Sequence, residues 1–138
     1  MSLDQALVDA AIHQAVARFP SGEAGAAAIR TESGRTLTSV CFDAQNPAAS
    51  LCHETGAICE ANRLGERVVA SVCVSRSDAA RPFLILAPCG ICQERLALWG
   101  MDLEVAVAIP GRPGAWQSKT LAALQPHYWR HAVTDERD

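Results

Sequence analysis

Two short cysteine-bearing segments, Cys52-His53-Glu54 and Pro88-Cys89-Gly90-Ile91-Cys92, constrain this chain more than any other feature of its sequence. Each stands where an irregular or extended stretch gives way to a run with helical periodicity. If both segments serve one purpose, the fold has to carry two helix starts to the same place.

Cys89 and Cys92 are three apart in the first turn of a helix, so both sulfurs can face one side, and the helix N-terminus favours their thiolate forms. That pair alone fits a thioredoxin-like redox centre as well as a metal site. Cys52 shifts the balance, because Glu54 follows it by two residues. Three thiolates and one unligated carboxylate make an open tetrahedral zinc site, with a position left for water. The carboxylate is then the group that moves protons between that water and a leaving group. A thiol redox protein would need neither Cys52 nor Glu54. A closed structural zinc would recruit a fourth ligand such as Cys41 or His53.

The remaining composition supports a small globular enzyme. A length of 138 residues, 49% hydrophobic and 20% charged, fits one domain spanning 1–138 and excludes disorder or coiled coil. The formal charge of -3 offers no pull toward nucleic acid or an anionic membrane. No apolar run approaches the ~20 residues of a membrane span, and Met1-Ser2-Leu3-Asp4 lacks a basic signal-peptide start, so a cytoplasmic location is expected. In that compartment the six cysteines are free thiols or ligands. Cys59 and Cys73 lie within apolar patterns and are expected as core thiols.

Periodicity supplies the frame. Leu7, Val8, Ala11, Ile12, Ala15, Val16 and Phe19 form the stripe of an amphipathic helix that Pro20-Ser21-Gly22 ends. Ala24 to Arg30 and Thr36 to Phe42 read as a hairpin around Ser33-Gly34, and Asp43 to Ser50 as a loop. A second helix carries Ala57, Ile58, Ala61 and Leu64 and stops at Gly65. Arg67 to Val74 and Phe83 to Ala87 read as buried strands, and the cysteine pair opens a third helix that runs to Trp99. Leu103 to Ile109 is a strand, Pro110 to Gly114 a loop and Ser118 to Leu124 a short helix. An aromatic tail, His127-Tyr128-Trp129, and a charged end expected to fray, Asp135 to Asp138, complete the chain. The alternation predicts a mixed sheet between layers of helices, an α/β class.

Cys52-His53-Glu54 with Pro88-Cys89-Gly90-Ile91-Cys92 resembles the cytidine deaminase family, including its blasticidin-S deaminase relatives. Gly25-Ala26-Ala27, Ser33-Gly34-Arg35 and Leu124-Gln125-Pro126-His127-Tyr128-Trp129 resemble further segments of that family, so nearly the whole chain is covered. The resemblance implies a three-layer α/β/α fold with a mixed sheet. It implies one zinc held by Cys52, Cys89 and Cys92, and hydrolytic deamination of cytidine, deoxycytidine or a related aminopyrimidine nucleoside, with Glu54 as the proton shuttle. A modified nucleoside of the blasticidin-S type is the competing substrate. The Ala87 carbonyl would hold the leaving ammonia, and the backbone at His53 would hold the base.

Cys41 and Asp43 stand where similar enzymes carry an Asn-x-Glu pair for the ribose; an aspartate still accepts a hydroxyl hydrogen bond, at shorter reach. Gly22 stands where the family has an aromatic residue three before Gly-Ala-Ala, and Thr55 where it has a charge-balancing arginine. For the latter His53, Arg95 and Arg63 are the substitutes in view. By the same resemblance Trp129 stacks on the base in a neighbouring subunit's pocket, in a homotetramer or homodimer.

Overall fold

The computed structural model describes residues 2–137, with side chains up to Val133. Asp4 caps the first helix, α1 (Gln5–Arg18), by accepting from the Leu7 N–H at 3.0 Å, which satisfies one of the orphan donors of the opening turn. The stripe read from the sequence is what α1 buries: Leu7, Val8, Ala11 and Ala15. Beneath it lies the hairpin of β1 (Ala24–Thr31) and β2 (Thr36–Ser39). Ala24, Ala26 and Ala28 of β1 face α1 and share its core with Ala70, Val72 and Val74 of β3 (Val68–Arg76). Methyl side chains along β1 let the helix approach the sheet closely.

The opposite face of the sheet is covered by α2 (Thr55–Leu64), ended by Gly65 at φ 69°, and by α3 (Gly90–Leu96). Ile29, Val68 and Val105 from the sheet meet Ala57, Ile58 and Ala61 from α2 and Leu96 from α3 in a second core. Two helical layers therefore enclose a six-stranded mixed sheet, with the main order β2-β1-β3-β5-β6. β3 and β5 (Glu104–Ile109) run parallel, and β6 (Arg112–Thr120) runs antiparallel to β5 on the edge. β4 (Leu84–Ile85) is a two-residue strand on β3. α4 (Leu121–Leu124) and α5 (Arg130–Arg137) close the chain.

Several boundaries differ from expectation. The run Phe83 to Ala87 pairs only at Leu84 and Ile85 before the chain turns toward Pro88. The stretch read as a loop and a helix from Pro110 to Leu124 is mostly strand β6; pairing with β5 overrides its Pro, Gly and polar content, which an edge strand tolerates. Cys59 is exposed on α2 and belongs to no core. The backbone of α5 continues to Arg137; Asp138 and the side chains of the charged end lie outside the described residues. No helix among the described residues is long and apolar enough to cross a membrane.

Candidate active site

The site lies where the sequence motifs require it, at the N-terminal ends of α2 and α3. Glu54 occupies the cap position of α2, yet its carboxylate makes no capping bond. Ser39 of β2 does that work. Its hydroxyl accepts from the Ala57 N–H at 2.9 Å and donates to the His53 carbonyl at 2.5 Å. The first turn is thereby satisfied from outside, and the Glu54 side chain is not spent on the helix end. Gly56 is needed at that junction, because a Cβ there would stand 2.9 Å from the Ser39 Cβ.

On the other side, Cys89 caps α3 in extended conformation and Cys92 lies in the helix one turn on. The turn leading to them is held twice: the Leu86 N–H donates to the Cys73 carbonyl at 3.0 Å, and Gln93 Nε2 donates to the Pro88 carbonyl at 2.7 Å. Gln125, in the C-terminal segment, donates in turn to Gln93 Oε1 at 2.6 Å.

The two segments converge. The sulfurs of Cys52, Cys89 and Cys92 all lie within 4.8 Å of one another, with Cys52 and Cys89 at 3.4 Å. This trio is a possible metal-binding site. Their protonation differs with surroundings. Burial raises the Cys52 and Cys92 thiols, and the nearby Glu54 carboxylate raises both further. Burial works the same way on Cys89, but the backbone N–H groups of Cys92 and Ile91, together with the Cys52 thiol, outweigh it and lower that thiol. Cys89 is thus the most acidic of the three thiols.

Glu54 is 4% exposed, and burial raises its carboxyl above the usual range. The Cys73 thiol donates a hydrogen bond to it and Arg95 acts on it as a positive charge, both in the opposite sense. The His53 ring accepts from the Cys41 N–H through Nδ1 at 3.0 Å, and burial lowers its pKa. A neutral ring with Nδ1 as acceptor carries its proton on Nε2.

A cleft of about 390 Å³ opens above these groups. Cys41, Asp43, Cys52, His53, Glu54, Ala87 and Cys89 line it, so the expected residues are brought together apart from Cys92 and Trp129. Cys92 is fully buried behind the other two sulfurs. Trp129 does not line the cleft of its own chain; it is 59% exposed beyond α3, and its indole N–H donates to Glu94.

The cleft also holds residues that the sequence pattern did not single out. Cys73, expected as a core thiol, faces Glu54 from β3. Its register partner is Ala27, and the neighbouring pair Gly25 and Ser75 follows on the same face, so strand alternation directs it into the site. Phe19 lines the cleft from the end of α1, supplying an aromatic ring six residues before Gly25, not three. Glu23 lines it too and acts electrostatically on both Cys41 and His53.

No protein-family model and no curated protein matches the sequence. Solved structures do. The chain is 39% identical to the cytidine deaminase from Bacillus anthracis, over 96% of this chain and 93% of that one, with a TM-score of 0.89. A mutant cytidine deaminase from Mycobacterium tuberculosis aligns at 28% identity over 89% and 91% with a TM-score of 0.67, and the cytidine deaminase from Mycobacterium leprae at 26% over 87% and 98% with a TM-score of 0.62. The chain belongs to the cytidine deaminase family.

Proposed function

We propose that this chain is a zinc-dependent hydrolase that converts cytidine or deoxycytidine to the uridine-type product with release of ammonia. The observation that carries the proposal is the burial of the Glu54 carboxylate beside three converging sulfurs at the floor of a cleft. The donors suit zinc: sulfurs bound to one tetrahedral zinc at ~2.3 Å stand about 3.8 Å apart, close to the spacing here. Cys52, Cys89 and Cys92 would hold the ion. When bound, zinc activates a water for attack on the ring carbon that bears the amine.

The remaining work falls to the protein. Glu54, made more basic by burial, would accept one proton of the attacking water and pass it to the ring nitrogen, then take the remaining proton of the added hydroxyl and pass it to the departing amine, which leaves as ammonia. Ala87 lines the cleft next to Pro88, and its carbonyl would accept from the leaving ammonia. His53 and Gly25 bound the wall on which the base rests, and Asp43 accepts from a ribose hydroxyl. An aminopyrimidine nucleoside with a modified sugar is the second substrate reading. It is favoured by Cys41 and Asp43, which line the cleft with Glu23 and stand where similar enzymes carry their ribose-binding pair.

Glu54→Gln is the direct test. The variant should keep one zinc per chain and lose ammonia release from cytidine by at least about 100-fold. Turnover at the unsubstituted rate would overturn the mechanism.

A further inference from the structure

We propose that Arg95 of α3, tethered by the Thr55 hydroxyl, is the cation that offsets the thiolate charge of this site. The assignment rests on the zinc reading above. Three thiolates around a dication leave one net negative charge, and Glu54 adds another in the same buried volume. Cys92 is 0% exposed, so no water solvates its sulfur. Charge left in such a place is costly unless a partner approaches it.

Among the described residues, no lysine or arginine lines the cleft. Of the basic side chains close to the motifs in sequence, His53 turns Nδ1 to the Cys41 N–H, from which it accepts at 3.0 Å, and its Nε2 edge to Gly25. Arg63 faces Glu60, at 3.9 Å, along the outer side of α2. Among the described residues, Arg95 is the basic side chain that reaches the sulfurs. It follows Cys92 by three residues and so shares its face of α3. Its Nη1 lies 3.9 Å from Cys92 Sγ, and the same nitrogen donates to Thr55 Oγ1 at 2.7 Å. Thr55, buried at the start of α2, therefore aims the guanidinium into the junction between the two helices. The positive charge enters from the helix-covered side and leaves the cleft open to substrate.

Arg95 is a positioning residue, since it touches a sulfur ligand and not the substrate. Its role is tested on the full-length protein by zinc affinity, measured by competition with a chromophoric chelator, alongside kcat and KM for cytidine. R95Q should bind zinc about 10–100-fold more weakly, the usual effect of removing a group that supports a metal ligand, while the zinc-free form unfolds as the unsubstituted zinc-free form does. T55V, which keeps the charge and loses the tether, should show a smaller loss in the same direction. R95K, or R95Q combined with T55R to deliver a cation from α2, should recover zinc affinity. The proposal is overturned if R95Q holds zinc and turns over like the unsubstituted chain. It is equally overturned if neither rescue variant recovers affinity, or if the zinc-free R95Q protein is itself destabilised, because each outcome assigns Arg95 to packing. An unsubstituted protein that binds no zinc overturns the underlying function as well, and zinc content measured first separates that case.

Discussion

Gly25 and His53 compete for the same space: a Cβ built on Gly25 would stand 2.5 Å from His53 Nε2 and 2.7 Å from Cε1. The β1 backbone is therefore in contact with the imidazole edge, and Nδ1 at the other edge accepts from Cys41. Gly25→Ala must move the ring or the strand, and the strand is fixed by pairing with Ser75 on β3. Overpacking of this kind costs about 1–3 kcal/mol. Thermal unfolding should register that loss, and KM for cytidine should rise; unchanged values for both would show that the ring yields freely.

Asp43 is expected to act in binding and not in chemistry. A hydrogen bond to a charged group contributes about 1.5–3 kcal/mol, so Asp43→Ala should raise KM for cytidine by about 10- to 100-fold with kcat little changed. If the longer reach of a glutamate suits the ribose better, Asp43→Glu lowers KM. Steady-state kinetics on cytidine, with cytosine as a sugar-free control, checks both. A fall in kcat without a rise in KM would remove Asp43 from the sugar end.

Metal removal should act on stability as well as activity. Zinc binding to the folded state stabilises it by mass action. Dialysis against a chelator should therefore lower the melting temperature and abolish ammonia release, and added zinc should restore both. Serine in place of Cys52, Cys89 or Cys92 should remove the zinc-dependent part of the melting temperature. Serine at exposed Cys59 should leave it intact.

The pH dependence of folding has a defined sign. The hydrogen bond from Arg30, then the Leu7 N–H, lowers the Asp4 carboxyl, and hydrogen bonds from Ser33 and Thr31, aided by Arg35, lower that of Glu66. Carboxylates lowered in the folded state contribute stability that is fully present above their ordinary pKa of about 4 and is lost as pH falls through the depressed value. Melting temperature should accordingly decline below about pH 4. Arg30→Met should flatten part of that decline; a slope identical to that of the unsubstituted protein would exclude Asp4 as a contributor.

Trp129 separates a role within one chain from a role between chains. It lies outside its own cleft, so if it closes the cleft of another copy, Trp129→Ala should raise KM for cytidine while light scattering shows an assembly of two or four chains. A monomer with unchanged KM would leave Trp129 with only its contact to Glu94.

The sequence alone determined which groups meet, because a metal site needs specific ligand types at specific local spacing. Cys52-x-Glu54 and Cys89-x-x-Cys92 state that spacing openly, and strong periodicity located α1, α2 and the strands that they cover. Weakly patterned stretches were decided by neighbours. β6 exists because β5 offers it an open edge, against the preference of Pro113 and Gly114. The same holds for the residues around the metal ligands. Cys73 reads in sequence as one more alternating strand residue, Phe19 as the end of a helix stripe and Arg95 as one of three bases, with His53 and Arg63, between which the sequence does not choose. Strand register turns Cys73 onto Glu54, the Pro20–Glu23 turn carries Phe19 over the cleft, and the crossing of α2 and α3 sets Arg95 between Thr55 and Cys92. Such contacts join residues far apart in the chain, and only the packing of helices on the sheet selects them. The three sulfurs and the carboxylate are thus a property of local sequence, whereas their charge balance and the walls around the substrate belong to the tertiary structure.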